Sequence, residues 1–175
     1  VRAAAEQYQK ALQMDANYAP AYYHIGVIFD EQKQYEKAIG FYKKAVEKDP
    51  NYSIAYQNWA NAHFNLGNQL SEQKRYGEAM AMYQQSAKIS PNTADVYHYW
   101  GNALFQSNKL EEAVEVYQKA VVLRTSNPST YYNLGSTLYK LGRYEESANQ
   151  YKMAVSLKPD YKAAQNALAV ALERV

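Results

Sequence analysis

Cysteine is absent from the 175 residues. Disulfides and thiolate metal sites are therefore excluded, and the redox compartment is left open. Only three histidines occur, His24, His63 and His98, far apart and none with a partner at ligand spacing. There is no glycine-rich phosphate loop and no assembled Ser-His-Asp set, so no metal, no cofactor and no catalytic residue is expected, and the chain reads as not an enzyme. An excess of one charge sign is also missing: 19 basic and 17 acidic residues give a net charge of +2. Both signs are spread along the chain, whereas nucleic acids and membrane surfaces call for a concentrated basic face. No stretch approaches the ~18 apolar residues of a membrane span and no signal peptide is present, so membrane insertion is not expected and a cytoplasmic location is the default. The chain has no initiator Met and opens within a helical pattern, as expected of a piece of a longer protein. Phe and Trp are scarce, at 4 and 2, against 19 Tyr.

What is present is clearest from Pro128 to Tyr161. Tyr131, Leu134, Gly135 and Leu138 recur at i, i+3, i+4 and i+7, the apolar stripe of one helix. Leu141-Gly142-Arg143 interrupts it, since Gly accepts the positive φ of a helix stop. A second stripe follows at Tyr144, Ser147, Ala148, Tyr151, Ala154 and Val155. Lys158-Pro159-Asp160 closes it, because proline cannot continue a helix. The stretch is one helical hairpin of 34 residues.

The same hairpin recurs at 19–52 and 94–127. A small residue returns as Gly26, Gly67, Gly101 and Gly135, and an aromatic as Tyr8, Tyr42, Tyr83, Tyr117 and Tyr151. Two closely crossing helices need a near-hydrogen-sized side chain at the crossing, and a larger one would overpack it by about 1–3 kcal/mol. This period, with its Leu-Gly, Ala, Tyr, Ala and Pro marks, resembles the tetratricopeptide repeat family over essentially the whole chain. The resemblance implies an all-α, right-handed superhelical solenoid of antiparallel helix hairpins, stacked because one hairpin cannot cover both its faces. The expected divisions are a half repeat at 1–18, repeats at 19–52, 53–93, 94–127 and 128–161, and a terminal or capping helix at 162–175.

The second repeat carries seven extra residues, with no helix breaker between Ser53 and Leu66. Two stripes compete there, Tyr56-Trp59-Ala60 and His63-Leu66-Gly67-Leu70. Seven residues are two helical turns less ~20° of drift, so both can lie on one face. A single long first helix at 53–74 using both is expected, in preference to a loop insertion.

In the family it resembles, the first helices line a concave groove through positions 2, 5, 6, 9, 12 and 13 of each repeat. Here the groove residues are expected to be Tyr23 and His24, then Phe64, Asn65 and Asn68. His98, Tyr99 and Asn102 follow, and then Tyr132, Asn133, Ser136, Tyr139 and Lys140. Asn offers one acceptor and two donors to a peptide backbone, and Tyr gives stiff contact area typical of interface hot spots. Related domains that bind chaperone C-termini use concave Lys and Arg; only Lys140 is basic here, so that function is not expected. A weaker likeness, to the repeat arm of O-linked N-acetylglucosamine transferases, rests on Asn65 and Asn133 at position six and is broken by His24 and Tyr99. The leading expectation is a non-catalytic scaffold that binds a peptide or protein segment in the groove. The alternatives are a substrate-recruiting arm of a larger transferase and a self-associating structural array. Ala4, Tyr8 and Ala11 at one end, with Leu168, Ala169 and Leu172 at the other, suggest weak head-to-tail association.

Overall fold

A glycine on one helix meets a tyrosine ring on the next, four times over. A Cβ built on Gly26 would lie 2.7 Å from the Tyr42 ring, on Gly67 2.6 Å from Tyr83, on Gly101 2.5 Å from Tyr117 and on Gly135 2.8 Å from Tyr151. The rings are 0%, 0%, 1% and 4% exposed, so they have no room to yield. This crossing sets the helix pairs of the computed structural model, which describes the backbone from residue 2 to 175 and side chains from residue 5 onward.

Among the described residues there are ten helices and no strand. They are α1 (Arg2–Met14), α2 (Ala19–Glu31), α3 (Tyr35–Lys48), α4 (Ser53–Glu72), α5 (Tyr76–Ile89), α6 (Ala94–Gln106), α7 (Leu110–Val122), α8 (Pro128–Lys140), α9 (Tyr144–Leu157) and α10 (Lys162–Leu172). The chain falls into two compact units, one from 1–73 with 81–91 and the other from 74–80 with 92–175.

In the first unit α2 packs on α1 and α3, and α4 packs on α3 and touches α2. α4 is a single uninterrupted helix of 20 residues, and both of its apolar stripes are used. Early in α4, Ala55, Tyr56 and Trp59 pack against Ala45 and Val46 of α3. Later, Gly67 receives the Tyr83 ring. In the second unit each of α6 to α10 packs on the next, and the first-type helices touch in turn, α6 with α8 and α8 with α10. Its buried interior runs through Val96, Leu104, Val114, Tyr117, Leu134 and Leu138.

The hairpin turns share one conformation. Gly142 has φ +76°, and the equivalent Lys33, Lys74 and Asn108 adopt the same left-handed region at 57°, 61° and 56°. Behind it, Arg143 N–H bonds Leu138 C=O, as Gln34 bonds Phe29 and Lys109 bonds Leu104. With the adjoining bond from the left-handed residue, as Gly142 N–H on Tyr139 C=O, this bond covers helix-end carbonyls that would otherwise lack donors. The end of α7, which lacks a proline stop, closes the same way, with Arg124 at φ 57° and Thr125 N–H on Ala120 C=O. Asn127 then caps α8 by accepting from Ser129 N–H at 3.0 Å, and Pro128 occupies the first helical position, where a missing N–H costs nothing.

Candidate partner-binding face

Burying four tyrosine rings leaves four phenols needing partners, because a buried hydroxyl without a hydrogen bond is costly. Three donate to position nine of the first helix in their own repeat. Tyr83 bonds Asn68 Oδ1 at 2.8 Å, Tyr117 bonds Asn102 Oδ1 at 2.6 Å and Tyr151 bonds Ser136 Oγ at 3.1 Å. In the first full repeat position nine is Val27, which cannot accept. Tyr42 reaches instead to Asp30 Oδ2 at 3.3 Å. Asn68, Asn102 and Ser136, expected to meet a ligand, thus already serve the core.

In the second unit this bond is one link of a longer network. Asn102 Oδ1 also accepts from Asn133 Nδ2 at 2.8 Å, which joins α6 to α8. With its oxygen so engaged, the amide turns its nitrogen to His98 Nε2, 3.2 Å away. Nε2 must then accept, so the ring proton sits on Nδ1 and is donated to Thr130 Oγ1 at 2.9 Å. His98 is 5% exposed and Thr130 is fully buried. Burial holds the His98 pKa below its ordinary value, against a smaller opposing pull from Asp95.

The first unit's row is built around a carboxylate. Asp30 accepts from Tyr42 and Asn65, while Asn58 Nδ2 donates to Tyr23 Oη at 3.1 Å. Burial raises the Asp30 pKa; the Tyr42 hydrogen bond pulls it down, and the nearby Glu31 charge adds to the rise. Burial, with Asp30 beside it, also drives the Tyr42 phenol well above the usual range.

The expected groove residues divide accordingly. Tyr99 is exposed, at 42%. Asn133 is half-buried on α8 beside Asn102, and Lys140 is exposed with its ammonium 4.3 Å from the centre of the Phe105 ring. Two tyrosines correct the expectation of open contact area. Tyr23 packs on the cores around Tyr42 and Ala45, and Tyr132 on those around Tyr131 and Tyr151. At position five a ring points between neighbouring helices, so burial claims most of it. His98, also at position five, is corrected for the same reason: both its nitrogens are bonded inside the protein. His24 stacks on Tyr8 of α1 with ring centroids 4.9 Å apart. Phe64 lies against Tyr83, and Tyr139 meets Tyr144 edge-on at 5.1 Å.

Thr130 was not visible as a functional residue. A signal exists, since position three reads Ala21, Ala62, Val96 and Ala164 elsewhere and is polar only here. Of the two end surfaces, the Ala4 side chain lies outside the described residues. Tyr8 is stacked on His24, and Leu168 packs with Ala148, Tyr151 and Ala171 of its own chain. Among the described residues no set of three or more His, Cys, Asp or Glu is grouped to hold a metal ion, and no helix is long and apolar enough to cross a membrane.

A family model described as "TPR repeat" matches residues 67–106, 101–142 and 135–175, and one described as "Tetratricopeptide repeat" matches 19–52. Over 45 residues the sequence is 42% identical to "Probable UDP-N-acetylglucosamine--peptide N-acetylglucosaminyltransferase SPINDLY" of Oryza sativa subsp. japonica, and equally to that of Hordeum vulgare. Those residues are 26% of this chain and span only 5% of each relative. Among solved structures, "First TPR of Spaghetti (RPAP3) bound to HSP90 peptide SRMEEVD" is similar with a TM-score of 0.63 and 24% identity, over 65% of this chain and 90% of that one. "Crystal structure of YrrB: a TPR protein with an unusual peptide-binding site" is similar with a TM-score of 0.58 and 20% identity, over 93% of this chain and 98% of that one.

Proposed function

Because this chain belongs to the tetratricopeptide repeat family, we propose that it is a non-catalytic scaffold holding a segment of another protein against the face that carries Tyr99, Asn133 and Lys140. One observation carries the reading: the Asn102 and Asn133 amides are fastened side by side across α6 and α8, and the exposed Tyr99 ring lies against His98, which Asn102 also bonds. Amides already held in place lose little conformational freedom when they pair with a peptide backbone, and that raises affinity. Tyr99 adds a stiff amphipathic ring of the kind that dominates interface energies. The peptide-bound relative supports this reading through its fold alone.

The test is to select peptides from a random display library on the whole chain and measure their affinity for wild type and Tyr99→Ala. Tyr132→Ala is the wrong probe, since it would hollow two cores. The expected loss on Tyr99→Ala is about 10- to 100-fold, the hot-spot scale. Unchanged affinity would remove this face from consideration. The SPINDLY match favours a second reading, in which these repeats recruit substrates for a larger glycosyltransferase. Selected peptides rich in Ser and Thr, the residue types that carry O-linked sugars, would support it; peptides without them would not.

A further inference from the structure

Two exceptions to the repeat pattern touch each other. Position three is apolar in Ala21, Ala62, Val96 and Ala164 and is Thr130 in the fourth full repeat. Position five is an aromatic hydrocarbon or phenol ring in Tyr23, Phe64 and Tyr132 and is His98 in the third. The two side chains bond at 2.9 Å, one of them 5% exposed and the other fully buried. A buried polar pair is costly unless every polar atom is satisfied, and here the imidazole has a partner on each nitrogen.

We propose that His98 is a proton-gated positioning residue: its neutral ring, protonated on Nδ1, holds the Asn102 and Asn133 amides in their paired arrangement, and a second proton on Nε2 releases them. The proposal rests on the reading of this face as the binding face and concerns its regulation. In the neutral state each of the four bonds in the row joins a donor to an acceptor. Nδ1–H donates to Thr130, Nε2 accepts from Asn102, and Asn102 Oδ1 accepts from Tyr117 and Asn133. A proton on Nε2 sets two donors against each other across 3.2 Å. Rotating the Asn102 amide alone does not resolve the conflict, because its NH2 would then face Asn133 Nδ2 and its oxygen would no longer face the Tyr117 hydroxyl, so both amides must leave their present arrangement.

The groups facing the ring on each element are few. From α6 they are Asp95, the one charge acting on it, and the edge of Tyr99 at 5.1 Å. From α7 it is the Tyr117 ring at 6.2 Å, and from α8 it is Thr130. Asp95 favours the proton and burial opposes it more strongly, so the release lies below the ordinary histidine value of 6.5. The paired arrangement is thus present at neutral pH and lost as pH falls.

Nitrogen NMR of the ligand-free chain between pH 8 and 4 tests this directly. The expected result is an Nδ1–H tautomer for His98 at pH 8, with the Asn102 and Asn133 side-chain amide signals shifting at the same midpoint as the His98 ring. His98→Gln keeps a carbonyl acceptor and an amide donor but does not titrate, so it should hold those signals constant over the same range. An Nε2–H tautomer at pH 8, or amide signals that stay still while His98 titrates, would overturn the proposal. The wild-type titration decides even if the variant folds poorly. No ligand is present, so the result is independent of whether Tyr99→Ala weakens peptide binding.

Discussion

Tyr42 in the first unit and Tyr117 in the second are the same ring, buried against the same kind of glycine, yet their hydroxyls end on a carboxylate and on an amide. The difference comes from position nine, Val27 in one repeat and Asn102 in the other. Where position nine cannot accept, the phenol reaches one turn further and finds Asp30. The outcome is a negative, partly desolvated row in the first unit and an uncharged one in the second. A requirement of the core, one acceptor for each buried phenol, therefore sets the electrostatic character of the face that a partner would meet.

The largest expected contrast is in acid. His63 on α4 is buried without a partner on Nδ1, and burial lowers its pKa to about 4. Between pH 6.5 and 4 the unfolded chain binds this proton and the folded one does not, so stability falls with pH across that window. A shift of that size corresponds to roughly 3 kcal/mol. Each unit contains one tryptophan, Trp59 or Trp100, so urea unfolding of Trp100→Phe reports the first unit and of Trp59→Phe the second. The first should lose stability along the His63 window and His63→Gln should flatten the loss; a first unit equally stable at pH 7 and pH 4 would contradict this.

Next in size is the crossing itself. Gly101→Ala should destabilise by about 1–3 kcal/mol, the overpacking scale, and slightly more than Gly26→Ala. The added carbon would lie 2.5 Å from a buried ring in the second unit and 2.7 Å in the first. Gly40, exposed in α3 with nothing within 4 Å of its added carbon, is the control. Gly40→Ala should stabilise by about 0.5–1 kcal/mol through helix propensity alone. If all three changes act in the same direction, steric crowding is not what selects glycine at the crossing.

The smallest effect sharpens the comparison of acceptors. Tyr117→Phe should cost about 1 kcal/mol, because the 2.6 Å bond is short and Asn102 is left with one donor fewer. Tyr42→Phe should cost less, its bond being 3.3 Å long. It should also raise the Asp30 pKa further, since the phenol makes the stronger of the two hydrogen bonds, the other being from Asn65, that draw that value down. A carbon-detected NMR titration of Asp30 that moves downward instead would refute the assigned bond.

The amino-acid sequence by itself determined the helix pairs, their order and the long α4, since periodicity, crossing glycines and absent breakers are local marks that need no partner to be read. It marked the turn at Gly142 but not those at Lys33, Lys74 and Asn108, which take the same left-handed backbone without the residue that advertises it. It named the residues of the candidate face but not their states. Tyr23, Tyr99 and Tyr132 read alike as groove residues, yet the turn of about 100° between positions five and six sends Tyr23 and Tyr132 between helices and leaves Tyr99 exposed. Likewise His98, Asn102, Asn133 and Thr130 read as separate positions up to 35 residues apart. The tertiary structure decided that they form one row, because a hydrogen bond between neighbouring repeats depends on helix register and rotation, and a pattern within one repeat carries neither.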